Sequence, residues 1–462
     1  MRVASFLTAA LLCLSQARAI AQTDVRTLGA VGDGIHDDTA ALQAAIDSGH
    51  AALFLPKGVY RITRPLVIEL PKVGFASLRG DGTATLRIEG AGAAIRIIGT
   101  HAGTASPPTV KEHVWLKERV PTLEGFEITA THPDADGIEV EGTMQLVLDK
   151  LLVRQTRHAV HLIKRNRNVL IANSHFFNNA GIGVYLDAVN LHQINIANCH
   201  ISSNAGGGVV ARGGEVRNLQ IGVCDIESNQ SADGPPAANV LLDSTGGSIA
   251  EVAITGCTLQ HGSKAPNSAN IRILGEGLDA RMEKRTGSPR TQEGHITIGN
   301  NVLSDVGINL EIRNARGVTV TGNTFWTGFE HDLLVEDSSN IVMGSNNFDR
   351  NPRYQFGSVS ESERNGIVLT RTRDSVFQGN IVSGVWRKPA AVHLTACSRM
   401  NLTANTILDS DGFGILLENL SHSIVSGNLV RDDRQGAERR SQGALKTTGG
   451  EGNVLNANLL SD

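Results

Sequence analysis

The sequence predicts an all-β fold, a parallel β-solenoid with one long core, and three observations predict it. A short motif recurs along most of the chain: "INIANCHISSN", "LQIGVCDIESN", "VAITGCTLQHG", "VTVTGNTFWTG" and "IVMGSNNFDRN" each place two apolar residues two apart, then a small residue, Asn or Cys, then another apolar residue. Between copies lie short alternating strands such as "DGIEVEG", "HAVHLIK", "ANIRILG" and "FGILLENL", with no helical segment between them. The composition agrees, with 50 glycines in 462 residues and only 4% aromatics. Two or three short strands per turn of chain, each unable to bury its apolar face alone, stack into a solenoid.

The elements follow in chain order. Arg2, an apolar run from Val3 to Leu14 and small residues at Ala17, Ala19 and Ala21 read as a secretory signal peptide over residues 1–21. The run is shorter than the ~20 residues that span a bilayer. The expected product is a secreted or periplasmic protein with no membrane attachment after cleavage. Residues 22–462 are then one domain despite their length, because a solenoid has one continuous core. Its first part, residues 22–65, is an N-terminal cap and first strand. In "HDDTAALQAAIDSG" a helix is expected from about Asp38 to Ser48, with Asp37 or Asp38 as N-cap, Leu42, Ala45 and Ile46 on one face, and Gly49 as the stop. "ALFLPKGVYRIT" alternates like a strand, and the helix ahead of it would cover the open end of the core.

Beyond the cap, one inner position runs through Phe126, Leu151, Ser174, Cys199, Cys224, Cys257, Asn301, Asn323, Asn346, Asn380, Asn405, Asn428 and Asn458, mostly 22 to 25 residues apart. Stacked asparagines can satisfy one another's amides, and Cys fills the same space as a small apolar group. Buried thiols are therefore expected in place of disulfides or a metal site; the cysteines show no CxxC spacing. The formal net charge of -4 gives no global field for nucleic acid.

The segment "GAVGDGIHDDTAALQAAIDSG" followed by "LFLPKGVYRIT" resembles the N-terminal signature of the pectate-lyase superfamily shared by polygalacturonases, rhamnogalacturonases, epimerase-like proteins and phage tailspikes. The resemblance covers about 45 residues. It implies a single-stranded right-handed parallel β-helix, an extended carbohydrate substrate, and a structural role for Asp37 and Asp38. Polygalacturonases carry catalytic acids just before strands on successive coils. Asp136 in "HPDADGIEV" matches the first of these, but "TRHAVHL" has Arg157 and His158 in place of the acid pair, and "NNAGIGV" has no histidine. The hydrolase set is broken.

Two clusters remain as candidate sites. In the first, Asp134, Asp136 and Glu139 on one coil face Arg154, Arg157, His158, His161 and Lys164 on the next, with Glu139 and His161 in one outward column ~4.8 Å apart. Basic groups beside a base suit β-elimination of a uronic acid: Arg or Lys neutralises the substrate carboxylate, while His, Arg or Lys removes the C5 proton. In the second, Glu311 and Glu336 are expected in one outward column on consecutive coils, with Arg272, Asn309 and Asp332 nearby. That spacing approaches the ~5–5.5 Å of a retaining glycosidase pair. Insertions after Cys257 and after Asn346 would wall this face. Tyr185, Trp386, Arg387 and His393 are candidate sugar contacts.

These residues point to a polysaccharide lyase acting on a uronic-acid-containing glycan. A glycoside hydrolase or glycosyl-transferring enzyme using the paired glutamates is the alternative, and a non-catalytic carbohydrate-binding or surface solenoid the second. No cofactor is required; Ca²⁺ is optional, since "HPDAD" holds carboxylates but no EF-type loop. Monomer and homotrimer both fit the sequence.

Overall fold

The computed structural model describes residues 22–104, 106–262, 265–276, 293–350 and 362–461. The signal peptide expected over residues 1–21, and most of the insertions expected to wall the second cluster, lie outside the described residues. The chain winds into a parallel β-helix of three walls. Each strand pairs in parallel with its counterpart one coil on. Along the first wall the inward register runs Ile138, Val160, Val184, Val209, Val240, Ile271, Leu310, Leu333, Ile367, Val392, Ile415 and Leu445. The long strands Val160–Ala172 and Ile182–Ala197 bend from the first wall into the second. Among the described residues the first two walls form one 29-stranded sheet and the third a separate 16-stranded sheet.

The alternation read from the sequence is what builds the walls. Ile138 and Val140 point inward and are fully buried, while Glu139 points outward. One apolar core runs from Val25 to Ala444, its members drawn from every coil. Each buried Val, Leu or Ile contributes roughly 1.5–3 kcal/mol relative to an exposed position.

The inner column is present. Cys257 N–H donates to Asn301 Oδ1 at 2.9 Å, and Asn301, Asn323, Asn346, Asn380, Asn405 and Asn428 each donate Nδ2–H to the next Oδ1 at 2.9–3.1 Å, ending on Asn458. Cys199, Cys224, Cys257 and Cys397 are buried free thiols. A second ladder, absent from the sequence reading, runs where the third wall turns into the first. It comprises Asn179, Asn204, Asn229, Asn239, Asn270, Asn309 and Asp332, each amide donating Nδ2–H to the next Oδ1 at 2.7–2.9 Å and the last, Asn309, to the Asp332 carboxyl. Asn309 and Asp332 therefore belong to the core, and their expected place beside an outward acid pair is corrected. Asn309 and Leu310 are both fully buried, as Asn270 and Ile271 are on the coil before, so the inward–outward alternation that places Glu311 on the outer face does not extend back through the turn to Asn309.

The N-terminal helix spans Thr39–Asp47 and buries Leu42, Ala45 and Ile46, closing the core against Leu53 and Leu55. Asp37 Oδ1 accepts the Thr39 N–H at 3.0 Å, and Asp38 turns back to accept from Val31 and Gly32 N–H at 2.6 and 3.0 Å. Both acids fasten the cap. Gly32 sits at φ +69°, where an added Cβ would lie 2.9 Å from the Tyr60 ring. No described helix is long and apolar enough to cross a membrane.

Candidate active site

The first cluster assembles on the outer face of the first wall. A residue at positive φ makes the turn into each strand on three successive coils: Gln155 (+59°), Asn178 (+56°) and Ser203 (+55°). Repeating that turn stacks the residues just after it, so Arg157 and His158 lie over Asp136 of the previous coil. Asp136 is buried; it accepts Arg157 Nε–H at 2.8 Å and Nη2–H at 2.7 Å, and the His158 backbone N–H at 3.0 Å. Gly181 completes the packing, because a Cβ there would stand 2.7 Å from both Arg157 O and His158 Nδ1. Gly181 in "NNAGIGV" thus makes room for His158 of the coil before.

One column of the wall carries Arg96, Glu139, His161, Tyr185 and Val210, and the next carries Glu141, Asp187, Arg212 and Asp243. His161 lies with Nδ1 3.4 Å from Asp136 Oδ2 and Nε2 3.1 Å from Asp187 Oδ2. Tyr185 stacks on it, ring centroids 5.1 Å apart and 5° from parallel, and His158 tilts against both rings. Glu139 pairs with Arg96 at 2.7 Å. Arg212 Nε meets Asp243 Oδ2 at 3.4 Å.

Protonation follows from these contacts. Burial alone would raise the Asp136 carboxyl, but the Arg157 and His161 hydrogen bonds outweigh it and hold the group well below the usual carboxylate range. Burial pushes His158 down to about 4. Its Nδ1 accepts the Ile182 backbone N–H at 3.0 Å, so the neutral ring carries its proton on Nε2. For His161 burial pulls downward, and the Asp136 and Asp187 carboxylates more than reverse it. Burial and Asp187 raise Tyr185, which keeps its phenolic proton at neutral pH. Neither histidine is therefore placed as a base. His158 is a donor, and both nitrogens of His161 are aimed at carboxylates. The carboxylate of this group that reaches the wall's surface is Asp187, its side chain 39% exposed and held by His161 Nε2.

Beside the cluster, a cleft of about 400 Å³ follows the turns into the first wall, lined by His132, Thr156, Asn178, Ala180, Ser203 and Ala205. Two of its lining residues, Thr156 and Ala180, directly precede Arg157 and Gly181 in the chain.

Three members expected in this cluster stand elsewhere or at its margin. Arg154 is on the third wall, paired with Glu127 at 2.6 Å, because residues 152–154 form a strand of the other sheet. Lys164 sits at φ +54° beyond the end of the outward run and pairs with Glu141, away from His161. Asp134 is exposed at the strand's approach, where its charge acts on Arg157. Asp136, Glu139 and His161 do bring three donor atoms within 4.8 Å, a geometry open to a cation, but Arg157 and Arg96 already hold the two carboxylates.

The second cluster is different in kind. Glu311 pairs across the wall with Leu334, and Glu336 with Arg313, so the glutamates are offset by two residues with Arg313 between them. Arg313 bonds Glu336 and also donates Nε–H to Glu311 at 2.5 Å, while Arg272 donates Nε–H to the other Glu311 oxygen at 2.5 Å. Burial would raise Glu311, but the two guanidiniums leave it lowered. A raised general acid is thus replaced by an ion-paired carboxylate, and the expected glycosidase pair is corrected.

The remaining aromatic and basic candidates also lie apart. Trp386 is sandwiched between the Arg350 and Arg440 guanidiniums, 3.7 and 5.6 Å from its ring, a packing role. Exposed Arg387 gives its backbone N–H to Asp411 Oδ2 at 2.9 Å. His393 shares the His161 column but lies eight coils further, roughly 40 Å away, and pairs with Glu418 at 2.7 Å. Asp187 and Arg212 were missed by the sequence reading. The outward alternation of "VYLD" and "VVAR", continued one step past Tyr185 and Val210, would have found both.

Residues 22–112 match the family described as rhamnogalacturonase A/epimerase, pectate lyase-like, and residues 118–259 match the right-handed β-helix region. Residues 354–461 match the family described as periplasmic copper-binding protein (NosD). The N-terminal resemblance to the pectate-lyase superfamily and the right-handed parallel β-helix both stand. Mannuronan C5-epimerase AlgE1 of Azotobacter vinelandii is 54% identical over 44 residues, 9% of this chain and 3% of that protein. AlgE6 of the same organism is 37% identical over 94 residues, 19% of this chain and 10% of that protein. The chain thus matches a tenth or less of the length of these relatives. Among solved structures, the AlgE6 A-module aligns at TM-score 0.47 and 15% identity, covering 94% of this chain and 99% of that one. The tailspike gp49 of Pseudomonas phage LKA1 aligns at TM-score 0.49 and 15% identity, covering 90% and 81%.

Proposed function

We propose that this protein is a secreted or periplasmic carbohydrate-active enzyme that removes the C5 proton of a uronic acid within a polysaccharide, leading to β-elimination. The observation that carries this reading is the Arg157–His158–His161–Tyr185–Asp187 constellation over buried Asp136, beside a cleft along the coils. The relatives are named for mannuronan C5 epimerisation, and loss of the C5 proton is the step that such chemistry shares with elimination.

Each side chain has a role in this reading. Arg157 and the Nε2–H of His158 bind the substrate carboxylate and balance the charge that builds on it as C5–H breaks. Asp187 takes that proton, and the electron pair spreads into the carboxylate. As C4–O4 breaks, its pair leaves on O4, which takes the phenolic proton of Tyr185. The proton on Asp187 then restores Tyr185, whose hydroxyl it neighbours. Asp136 and His161 are positioning residues: the first locks Arg157 and the His158 backbone, the second holds Asp187. With the Arg157 guanidinium and the His158 Nε2–H to receive the substrate carboxylate, Ca²⁺ is optional in this reading.

The test is digestion of a panel of acidic polysaccharides in deuterated water. The C4=C5 double bond is expected to form, seen by its ultraviolet absorbance. Deuterium entering C5 without that absorbance would assign epimerisation at the same site. New reducing ends with neither signal would overturn the reading.

A further inference from the structure

The third wall carries a second constellation that the proposed reaction does not use. His175, His200 and Asp225 follow one another in one outward column, and Glu227 stands in the adjacent column on the coil of Asp225. His200 Nε2 lies 3.4 Å from Asp225 Oδ2 and 3.4 Å from Glu227 Oε1, and donor atoms of the three residues all fall within 4.8 Å of one another. These separations are long for a charge-assisted hydrogen bond. They match the ~3.4 Å edge of a tetrahedron whose metal–ligand bonds are ~2.0–2.2 Å.

The charge around the trio points the same way. Among the described residues no lysine or arginine pairs with Asp225 or Glu227; their ion-pair partners are His200 and His261. Asp225 Oδ1 is closed off from solvent and makes no hydrogen bond. The remaining Glu227 oxygen is held from outside, by Gln260 Nε2–H at 3.3 Å and His261 Nε2 at 3.6 Å, as metal-binding carboxylates are held in place by their neighbours. The Asp136–Glu139–His161 trio on the first wall has the opposite character, with a guanidinium on each carboxylate.

We infer that His200, Asp225 and Glu227 form a binding site for a borderline divalent cation of the Zn²⁺ class, bridging two adjacent coils of the third wall. An imidazole with two carboxylates favours Zn²⁺, Co²⁺, Ni²⁺ or Cu²⁺ over Ca²⁺ and Mg²⁺, which take oxygen ligands. Three protein ligands leave a fourth position for water, and the His175 ring meets the His200 ring edge-on at 5.7 Å.

The test is equilibrium dialysis of the chelator-stripped full chain against Zn²⁺, with Ca²⁺ in parallel, followed by metal analysis and by the visible spectrum of a Co²⁺-loaded sample. Wild type is expected to bind Zn²⁺ at about one ion per chain and to give the intense bands of tetrahedral Co²⁺. His200→Ala, and separately Asp225→Asn with Glu227→Gln, should weaken Zn²⁺ at least ~10-fold. The second variant keeps side-chain shape, so its loss of metal is read on a folded chain. His161→Ala should leave Zn²⁺ binding unchanged. Zn²⁺ binding that survives both third-wall changes, that is lost in His161→Ala, or that Ca²⁺ matches would overturn the assignment, as would absence of binding in wild type.

Discussion

The two charged patches on the first wall are built on the same scaffold and do opposite things with it. Around Glu311, every carboxylate oxygen that faces the wall is met by Arg272 or Arg313, and the charges cancel inside the patch. Around Asp136, the one carboxylate that is fully buried is cancelled by Arg157. The His158 Nε2–H, the Tyr185 phenol and Asp187 remain on the outer side of that pair. Charge content does not separate the patches. Neutralisation of the surface acid does: Glu336 is met by the Arg313 guanidinium, while the partly exposed Asp187 is paired with the His161 imidazole.

The sharpest way to break that comparison is Asp187→Asn, expected to lower kcat by about 10³-fold or more with the fold intact, measured by steady-state turnover on the best acidic glycan. Tyr185→Phe should follow at about 10²-fold, because stacking on His161 survives while the proton for O4 is lost. Glu336→Gln and removal of Ca²⁺ with a chelator should each leave turnover within about twofold.

A stability difference sharpens the contrast between surface patch and core. Burial raises Asp332 to about 7, well above the ordinary aspartate range. Its folded form holds a proton that the unfolded chain releases earlier, so its contribution is complete below the unfolded value and is lost as pH rises through the folded one. Asp332→Asn, which extends the amide ladder, should raise the thermal midpoint at pH 8 and leave it nearly unchanged at pH 4. The gain at pH 8 is on the order of 1–4 kcal/mol. Asp136 has the opposite sign. Its depressed value makes its contribution present above the unfolded pKa and lost only as pH falls through the folded one.

Much of this was legible in the sequence, and the failures have physical causes. The cap and the inner column from Cys199 to Asn458 were readable because one side-chain size recurs at one position per coil. The second ladder was hidden because its spacing collapses from 25 residues between Asn204 and Asn229 to 10 between Asn229 and Asn239. No fixed period finds that. Glu311 and Glu336 were misaligned because counting along the strands cannot detect a two-residue offset between coils. The Asp136–Arg157–His158–His161 grouping was found because those residues sit near the turn that repeats from coil to coil. Their protonation was not legible: it depends on Ile182 N–H, Asp187 and Gly181, contacts from the next coil.

The most direct test of the central claim is the unsaturated-uronate absorbance produced by Asp187→Asn and by Glu336→Gln, each set against wild type on the same glycan. The account predicts product from wild type and Glu336→Gln at closely similar rates, and none above background from Asp187→Asn. Full activity in Asp187→Asn, with loss confined to Glu336→Gln, would contradict it.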